Sequence, residues 1–177
     1  MGTVIISRGV SGSGKSTLNQ ALEELSEARG HSAAIHSTDD IFEQDGKFDP
    51  AKLGINHAKN LENFKASLEA GIDTVVCDNT NTSHWEYEKY LKAAREAGYA
   101  VQAVVFEPGP IDVHEKRNTH NVPRDVLVKQ KENLLNNLKS IGVDKEYNVE
   151  QQSMFNFIER IRNLASHLVP EPSNRSI

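Results

Sequence analysis

Cysteine is nearly missing from this chain of 177 residues. The single Cys77 rules out an internal disulfide. It ends the run Thr74-Val-Val-Cys77, where a buried structural thiol is expected rather than a nucleophile. No apolar run approaches the roughly 18 residues of a membrane span, and no basic stretch with a following apolar segment opens the chain. A cytoplasmic protein without a membrane partner is therefore expected. Excess positive charge is missing too. The 20 Lys and Arg against 25 Asp and Glu leave a net charge of −5, which argues against a coat for nonspecific nucleic-acid binding. None of the seven histidines has metal-ligand spacing, and His57 and His84 read as helix-face or core residues. There is no internal repeat, low-complexity block or second domain boundary. The length fits one domain over residues 1–170, with a flexible tail at 171–177. Oligomeric state is left open.

What is present begins at residue 9. Gly9-Val-Ser-Gly12-Ser13-Gly14-Lys15-Ser16-Thr17 follows the β-rich run Thr3-Val-Ile-Ile-Ser7. This is a phosphate-loop pattern in its required setting of strand, tight turn and helix. Glycines let successive backbone N–H groups turn toward phosphate oxygens, and the helix adds its positive end. Gly12, Ser13, Gly14, Lys15, Ser16 and Thr17 are thus expected to bind a nucleoside triphosphate. Lys15 can reach its β- and γ-phosphates, and the Ser16 hydroxyl can ligate Mg²⁺.

Strand-like and helix-like segments alternate along the chain, which predicts an α/β fold with a parallel sheet. The predicted strands are Thr3–Arg8, Ala33–His36, Asp73–Cys77 and Tyr99–Phe106. Predicted helices cover Lys15 to about Arg29, Pro50 to about Ala70 with Asp49 as cap, and a capping box at Ser83–Glu86 to about Ala97. A short turn at Ile41–Glu43, with Asp40 as its cap, is the structural alternative to a functional role for that carboxylate. Two helical segments, about 111–119 and 123–138, read as a lid. Residues 139–152 read as a loop. Met154, Phe155, Ile158, Ile161, Leu164, Ala165 and Leu168 then form a core stripe on a C-terminal helix at about 153–168.

Ligands of parallel α/β sheets sit beyond the carboxyl ends of the strands. Three strands end here in polar sequences: the phosphate loop, Asp39-Asp40, and Asp78-Asn79-Thr80-Asn81. In phosphoryl transfer to an alcohol, a carboxylate near the acceptor takes the hydroxyl proton. Asp39 is the expected base. Asp40 is either a structural or an acceptor-binding carboxylate. Asp78 is expected to hold Mg²⁺ directly or through water, or else to fix the Asp78–Asn81 turn. Between His114 and Lys131 stand Lys116, Arg117, Arg124, Lys129 and Lys131 against Glu115 and Asp125, a local basic excess that could meet a polyanion. Arg117 is the expected lid arginine, neutralising the moving phosphoryl group. Arg8 is expected to make a salt bridge within the scaffold.

These blocks together, with Ile41-Phe42, Asp45-Gly46, Phe48-Asp49, His57, Asn60, Trp85-Glu86 and Arg117-Asn118-Thr-His120-Asn121-Val122, resemble the NEDD4-binding-protein-2-like P-loop proteins. That family is related to phage-type polynucleotide 5′-hydroxyl kinases, and the resemblance spans roughly residues 1–135. It implies a P-loop kinase fold with a four-stranded parallel sheet in the order 2-3-1-4, helices on both faces and a helical lid. It also implies ATP and Mg²⁺ as cofactors, with catalytic Lys15, Asp39 and Arg117, and an acceptor region of Asp40, Phe42, Asn79, Thr80 and Asn81. The chain departs from the phage-type pattern twice. Phe42 stands where those kinases carry an arginine three residues after the base, and Asn121 where they carry a second lid arginine.

The expected activity is transfer of the ATP γ-phosphoryl group to a hydroxyl, foremost the 5′-hydroxyl of a nucleic-acid end or a nucleotide-like small molecule. The alternatives are a small-molecule kinase for a nucleoside, sugar or antibiotic, and a nucleotide-dependent switch module without transfer.

Overall fold

A computed structural model describes residues 2–44, 46, 49–151 and 154–172. The strands β1 (Thr3–Arg8), β2 (Ala33–His36), β3 (Thr74–Asp78), β4 (Ala100–Phe106) and β5 (Lys145–Val149) form one sheet in the order β2-β3-β1-β4-β5. Every neighbouring pair is parallel. The central strands read as continuous apolar runs because helices cover both faces of the sheet. Val4, Ile5 and Ile6 on β1 and Val75, Val76 and Cys77 on β3 are accordingly fully buried.

The helices are α1 (Lys15–Ala28), α2 (Thr38–Gln44), α3 (Leu53–Glu69), α4 (His84–Glu96), α5 (Ile111–Arg117), α6 (Arg124–Asn136) and α7 (Met154–Leu168). On one face of the sheet, Ile5, Val76 and Val104 pack against Leu18 and Leu22 of α1 and Phe157, Ile161 and Leu164 of α7. On the other, Val4, Ile6 and Val101 meet Phe64 of α3 with Tyr87 and Tyr90 of α4. Leu127 and Leu134 of α6 close a smaller core over Val10 and Val105. Asp49 caps a 3₁₀ turn at Pro50–Lys52, which leads into α3. Ser83 and Glu86 form the expected capping box. The core stripe continues through Ile161, Leu164, Ala165 and Leu168, all buried. The side chains of Met154 and Phe155 lie outside the described residues, as do Asp45, Phe48 and residues 173–177 of the expected tail.

Three expectations are corrected. The stretch 139–152 is not all loop, since Lys145–Val149 adds a fifth strand beside β4. An edge strand needs apolar residues only where it meets the layers, so the exposed Lys145 and Asn148 hide it from a pattern search. The turn at Ile41–Glu43 is part of α2, so Asp40 lies in its first turn rather than capping it.

Arg8 makes no salt bridge among the described residues. Its side chain is fully buried and donates to four backbone carbonyls: Asn81 O (2.8 Å), Thr82 O (3.4 Å), Asn137 O (2.6 Å) and Leu138 O (3.2 Å). A further bond reaches Ser140 Oγ at 3.0 Å, and the guanidinium lies 5.0 Å from the centre of the Tyr87 ring. Five N–H donors in a fixed fork suit such a fan of acceptors. The residue before the phosphate loop thereby ties the β3–α4 turn to the segment after α6.

Candidate active site

The phosphate loop turns where its glycines require it. Gly12 has φ +79° and Gly14 φ +103°, both in the left-handed region that side chains disfavour. Packing adds a second constraint. A Cβ on Gly12 would collide with the His114 carbonyl oxygen, and one on Gly14 with the Phe157 ring. The loop is held from outside by Gly9 N–H to Thr80 O (2.8 Å) and Ser11 N–H to Gln130 Oε1 (3.1 Å). Inside it, Lys15 Nζ donates to Gly9 O at 2.8 Å and Val10 O at 3.2 Å. Burial pushes the pKa of this ammonium below its ordinary value, while Asp78 and Asp39 work in the opposite direction.

A cleft of about 730 Å³ opens over this loop. Its floor includes Gly12, Gly14, Lys15, Ser16 and Thr17. Asp39, Asp40 and Glu43 of α2 line one wall, and Asp78, Asn79 and Thr80 line the end of β3. Arg117, Thr119 and His120 stand on the side of α5 and its following turn. Lys15, Asp39 and Arg117, separated by up to 102 positions in the chain, thus share one cleft.

Asp78 is a fixed carboxylate. Ser7 Oγ donates to its Oδ1 at 3.2 Å and Asn19 Nδ2 to its Oδ2 at 2.8 Å. The start of α2 is fixed as well, because Thr38 N–H donates to Asn79 Oδ1 (3.1 Å) and Thr38 Oγ1 meets His57 Nδ1 (3.1 Å). On a helix turning by about 100° per residue, Asp39, Asp40 and Glu43 share one face. They crowd together, and Asp40 titrates above the ordinary carboxylate range. Burial is the main cause, with Glu43, Asp78 and Asp39 adding to it and His120 opposing.

Two expected acceptor residues are not at the cleft. Ile41 and Phe42 fall on the opposite side of α2, and Phe42 is only 5% exposed, within the core. Asn81 is fully buried with φ +47°; its amide donates to Ser7 O at 2.8 Å and Cys77 Sγ at 3.7 Å. Its role is to hold the β3–α4 turn. Cys77 itself is a buried free thiol whose pKa burial raises.

Much of the basic excess at 114–131 is used locally. Arg124 pairs with Asp112 at 2.6 Å, and Lys131 donates to Gly109 O at 2.8 Å. Of the expected lid, α5 and α6 are packed onto the phosphate loop and β4, and the turn 118–123 stands over the cleft. Asn118 shapes that turn, accepting from His120 N–H (3.1 Å) and donating to Val122 O (3.0 Å). Asn121, where a second lid arginine could have stood, takes φ +55°.

Sequence reasoning missed two histidines. His120 reaches across to α2, with Nδ1 3.3 Å from Glu43 Oε1 and Nε2 3.8 Å from Asp39 Oδ2. His114 is fully buried. Its Nε2 accepts from Gly109 N–H (2.9 Å) and its Nδ1 lies 3.2 Å from Gly12 O, which assigns the proton to Nδ1 of a neutral ring. Burial pushes the pKa of this imidazole below its ordinary value, with Lys131, Lys15 and Arg117 adding to the shift and the Gly12 carbonyl opposing it. His120 had a signal in the turn-forming Asn118 and Asn121 around it; a lone histidine on a short helix such as His114 had none.

The donor set fits a phosphorylated nucleotide and a hard cation. Ser13 Oγ is buried in the loop with no partner in the structure, and Lys15 offers a cation at the same place. Among the described residues no cluster of three or more His, Cys, Asp or Glu side chains forms a metal site. Mg²⁺ held largely by phosphates and water needs only one or two protein oxygens, which Ser16 and Asp78 can supply. No described helix is long and apolar enough to cross a membrane.

Solved structures share this fold. A gluconokinase from Sinorhizobium meliloti 1021 is 20% identical, over 95% of this chain and 93% of that one, with a TM-score of 0.55. The Mycobacterium tuberculosis APS kinase CysC in complex with AMPPNP and APS is 17% identical, over 94% and 95%, with a TM-score of 0.57. A chain of the Pnkp1/Rnl/Hen1 RNA repair complex is 18% identical with a TM-score of 0.64, over 76% of this chain but 44% of that one. These likenesses establish a P-loop kinase-like α/β fold. Residues 4–138 match the AAA_33 family, described as an AAA domain. That match covers about three-quarters of the sequence, and the chain belongs to the AAA_33 family of AAA domains.

Proposed function

We propose that this protein is an ATP-dependent phosphotransferase that moves the γ-phosphoryl group to a hydroxyl acceptor, foremost the 5′-hydroxyl of a polynucleotide. The observation that carries the reading is the meeting of Lys15, Asp39 and Arg117 at one cleft, on its floor and two of its walls. The acceptor oxygen forms a bond to the γ-phosphorus, the bond from that phosphorus to the bridging oxygen breaks, and ADP leaves. Asp39 takes the acceptor proton, and Lys15 and Arg117 offset charge on the phosphoryl oxygens. The phosphate-loop backbone from Gly12 to Thr17 orients the donor. Mg²⁺, when held by Ser16 and Asp78, would add charge neutralisation at the β- and γ-oxygens.

The polynucleotide acceptor rests on the resemblance to the NEDD4-binding-protein-2-like proteins and on the likeness to a chain of an RNA repair complex. A small-molecule acceptor is the second reading. It is favoured by Phe42 and Asn121 standing where the phage-type kinases of the resemblance carry arginines, and Phe42 is buried besides. Labelled ATP with 5′-hydroxyl DNA, 5′-hydroxyl RNA, nucleosides and sugars decides between them. Label on an oligonucleotide 5′ end supports the first reading, and label only on a nucleoside or sugar supports the second. Nucleotide-controlled partner binding without transfer to any acceptor would overturn both.

A further inference from the structure

A second groove, of about 330 Å³, lies beside the cleft between the start of α4 and α6. Thr80, in the turn after β3, lines both. Trp85 is 75% exposed at its edge, and Lys129 and Asn133 of α6 line it as well. A tryptophan this open on a helix is not held by the core. Glu86 is already engaged, accepting from Ser83 N–H at 2.7 Å and from Thr82 Oγ1 at 3.0 Å. The groove carries Lys129 against Glu86 and Asp125, in a chain of net charge −5. It has no surplus of positive charge with which to track phosphates. An exposed indole in a near-neutral polar groove suits an uncharged flat ring, and base–aromatic stacking tolerates any base.

We propose that this groove is the subsite for an internal nucleobase of a single-stranded polynucleotide acceptor, stacked on Trp85 while the 5′-hydroxyl sits near Asp39. The inference rests on the polynucleotide form of the function above. It names what would replace the phosphate grip that Phe42 and Asn121 do not supply.

Trp85 is the chain's one tryptophan, so indole fluorescence, excited selectively over the four tyrosines, reports on this groove. A short 5′-hydroxyl oligothymidylate should quench it saturably, whereas thymidine or ATP alone should not. Affinity from that titration should fall less than about fivefold between about 50 and 200 mM salt, because few phosphates are engaged. Trp85→Ala should lower the ratio of kcat/KM for the oligothymidylate to that for thymidine by about tenfold, and Trp85→Phe should keep most of it. Quenching by ATP alone, a steep salt dependence, or an unchanged ratio in Trp85→Ala would overturn the subsite. The two inferences fail differently. Saturable quenching without transfer sinks the kinase and keeps the groove, whereas transfer onto the oligothymidylate without quenching does the reverse.

Discussion

The His120 imidazole, carried by the turn between α5 and α6, lies 3.8 Å from the Asp39 carboxylate on α2 and 3.3 Å from that of Glu43. One side chain thus spans the cleft and touches the proposed base. Asp39→Asn should abolish transfer while leaving ATP affinity within about twofold, since Asp39 is not part of the phosphate loop. Near wild-type turnover would remove Asp39 from the mechanism. His120→Ala should lower kcat more mildly, by about tenfold, through loss of the brace on the base. Steady-state kinetics with nucleotide binding by calorimetry checks both.

Lys15→Ala and Arg117→Ala should each cost about 10³-fold or more in turnover. They should differ in binding. Lys15 lies inside the phosphate loop and should weaken ATP as well, whereas Arg117 on the α5 side should act mainly on kcat. Nucleotide titrations of the two variants separate these effects.

Asp40 shares its face of α2 with Asp39 and Glu43, and its carboxyl titrates above the ordinary range. A raised carboxylate pKa means that the folded state resists ionisation, so the cost to stability begins as pH rises through the ordinary carboxylate value and is complete above the folded one. Asp40→Asn should therefore raise the thermal midpoint at pH 7. The gain should vanish as pH falls below the ordinary carboxylate range, where both states are protonated. Melting curves at pH 7 and near pH 3 test the sign. An equal shift at both would point to packing instead.

His114 is buried neutral, with its pKa depressed. The unfolded chain takes up this proton first, so stability is full above the ordinary histidine value of about 6.5 and is lost as pH falls through the window below it. Protonation would also turn Nε2 from acceptor to donor and break its bond from Gly109 N–H. His114→Gln should flatten the pH dependence of stability below the ordinary histidine value of about 6.5. Denaturant unfolding at several pH values would show it, and an undiminished slope would assign the acid sensitivity elsewhere.

Arg8→Ala should destabilise the fold by about 3 kcal/mol or more, because several buried carbonyls lose their donor at once. Arg8→Lys keeps a charge but has three donors on one nitrogen, and should recover only part of the loss. Urea midpoints give the comparison.

Much of the site was legible because it is local in the chain. The phosphate loop with its preceding strand, Asp39-Asp40 after β2 and Asp78 after β3 each announce themselves within a few residues. What escaped depends on which way a side chain faces or on a distant partner. Phe42 follows the proposed base by three residues, yet the helical turn of α2 puts it in the core, and no helix was expected there. Asn81 lies in a polar block whose neighbours reach the cleft, but its own amide answers Ser7 and Cys77. β5 is charged enough to resemble loop and becomes a strand only through β4. Arg8 read as one half of an ion pair, whereas its partners are backbone carbonyls far along the chain.

The family match ends at residue 138, yet β5 and α7 lie beyond it. The Phe157 ring occupies the space that a side chain at Gly14 would fill, and Ile161, Leu164 and Leu168 complete the core over β1 and β4. The segment after residue 138 is therefore not an appendage to a self-sufficient nucleotide-binding unit. A chain cut there would expose the edge of β4, remove the α7 side chains that pack with α1 on one face of the sheet, and take away the Phe157 ring beside Gly14. The conformation of the phosphate loop in this protein is supported by residues that lie outside the matched family region.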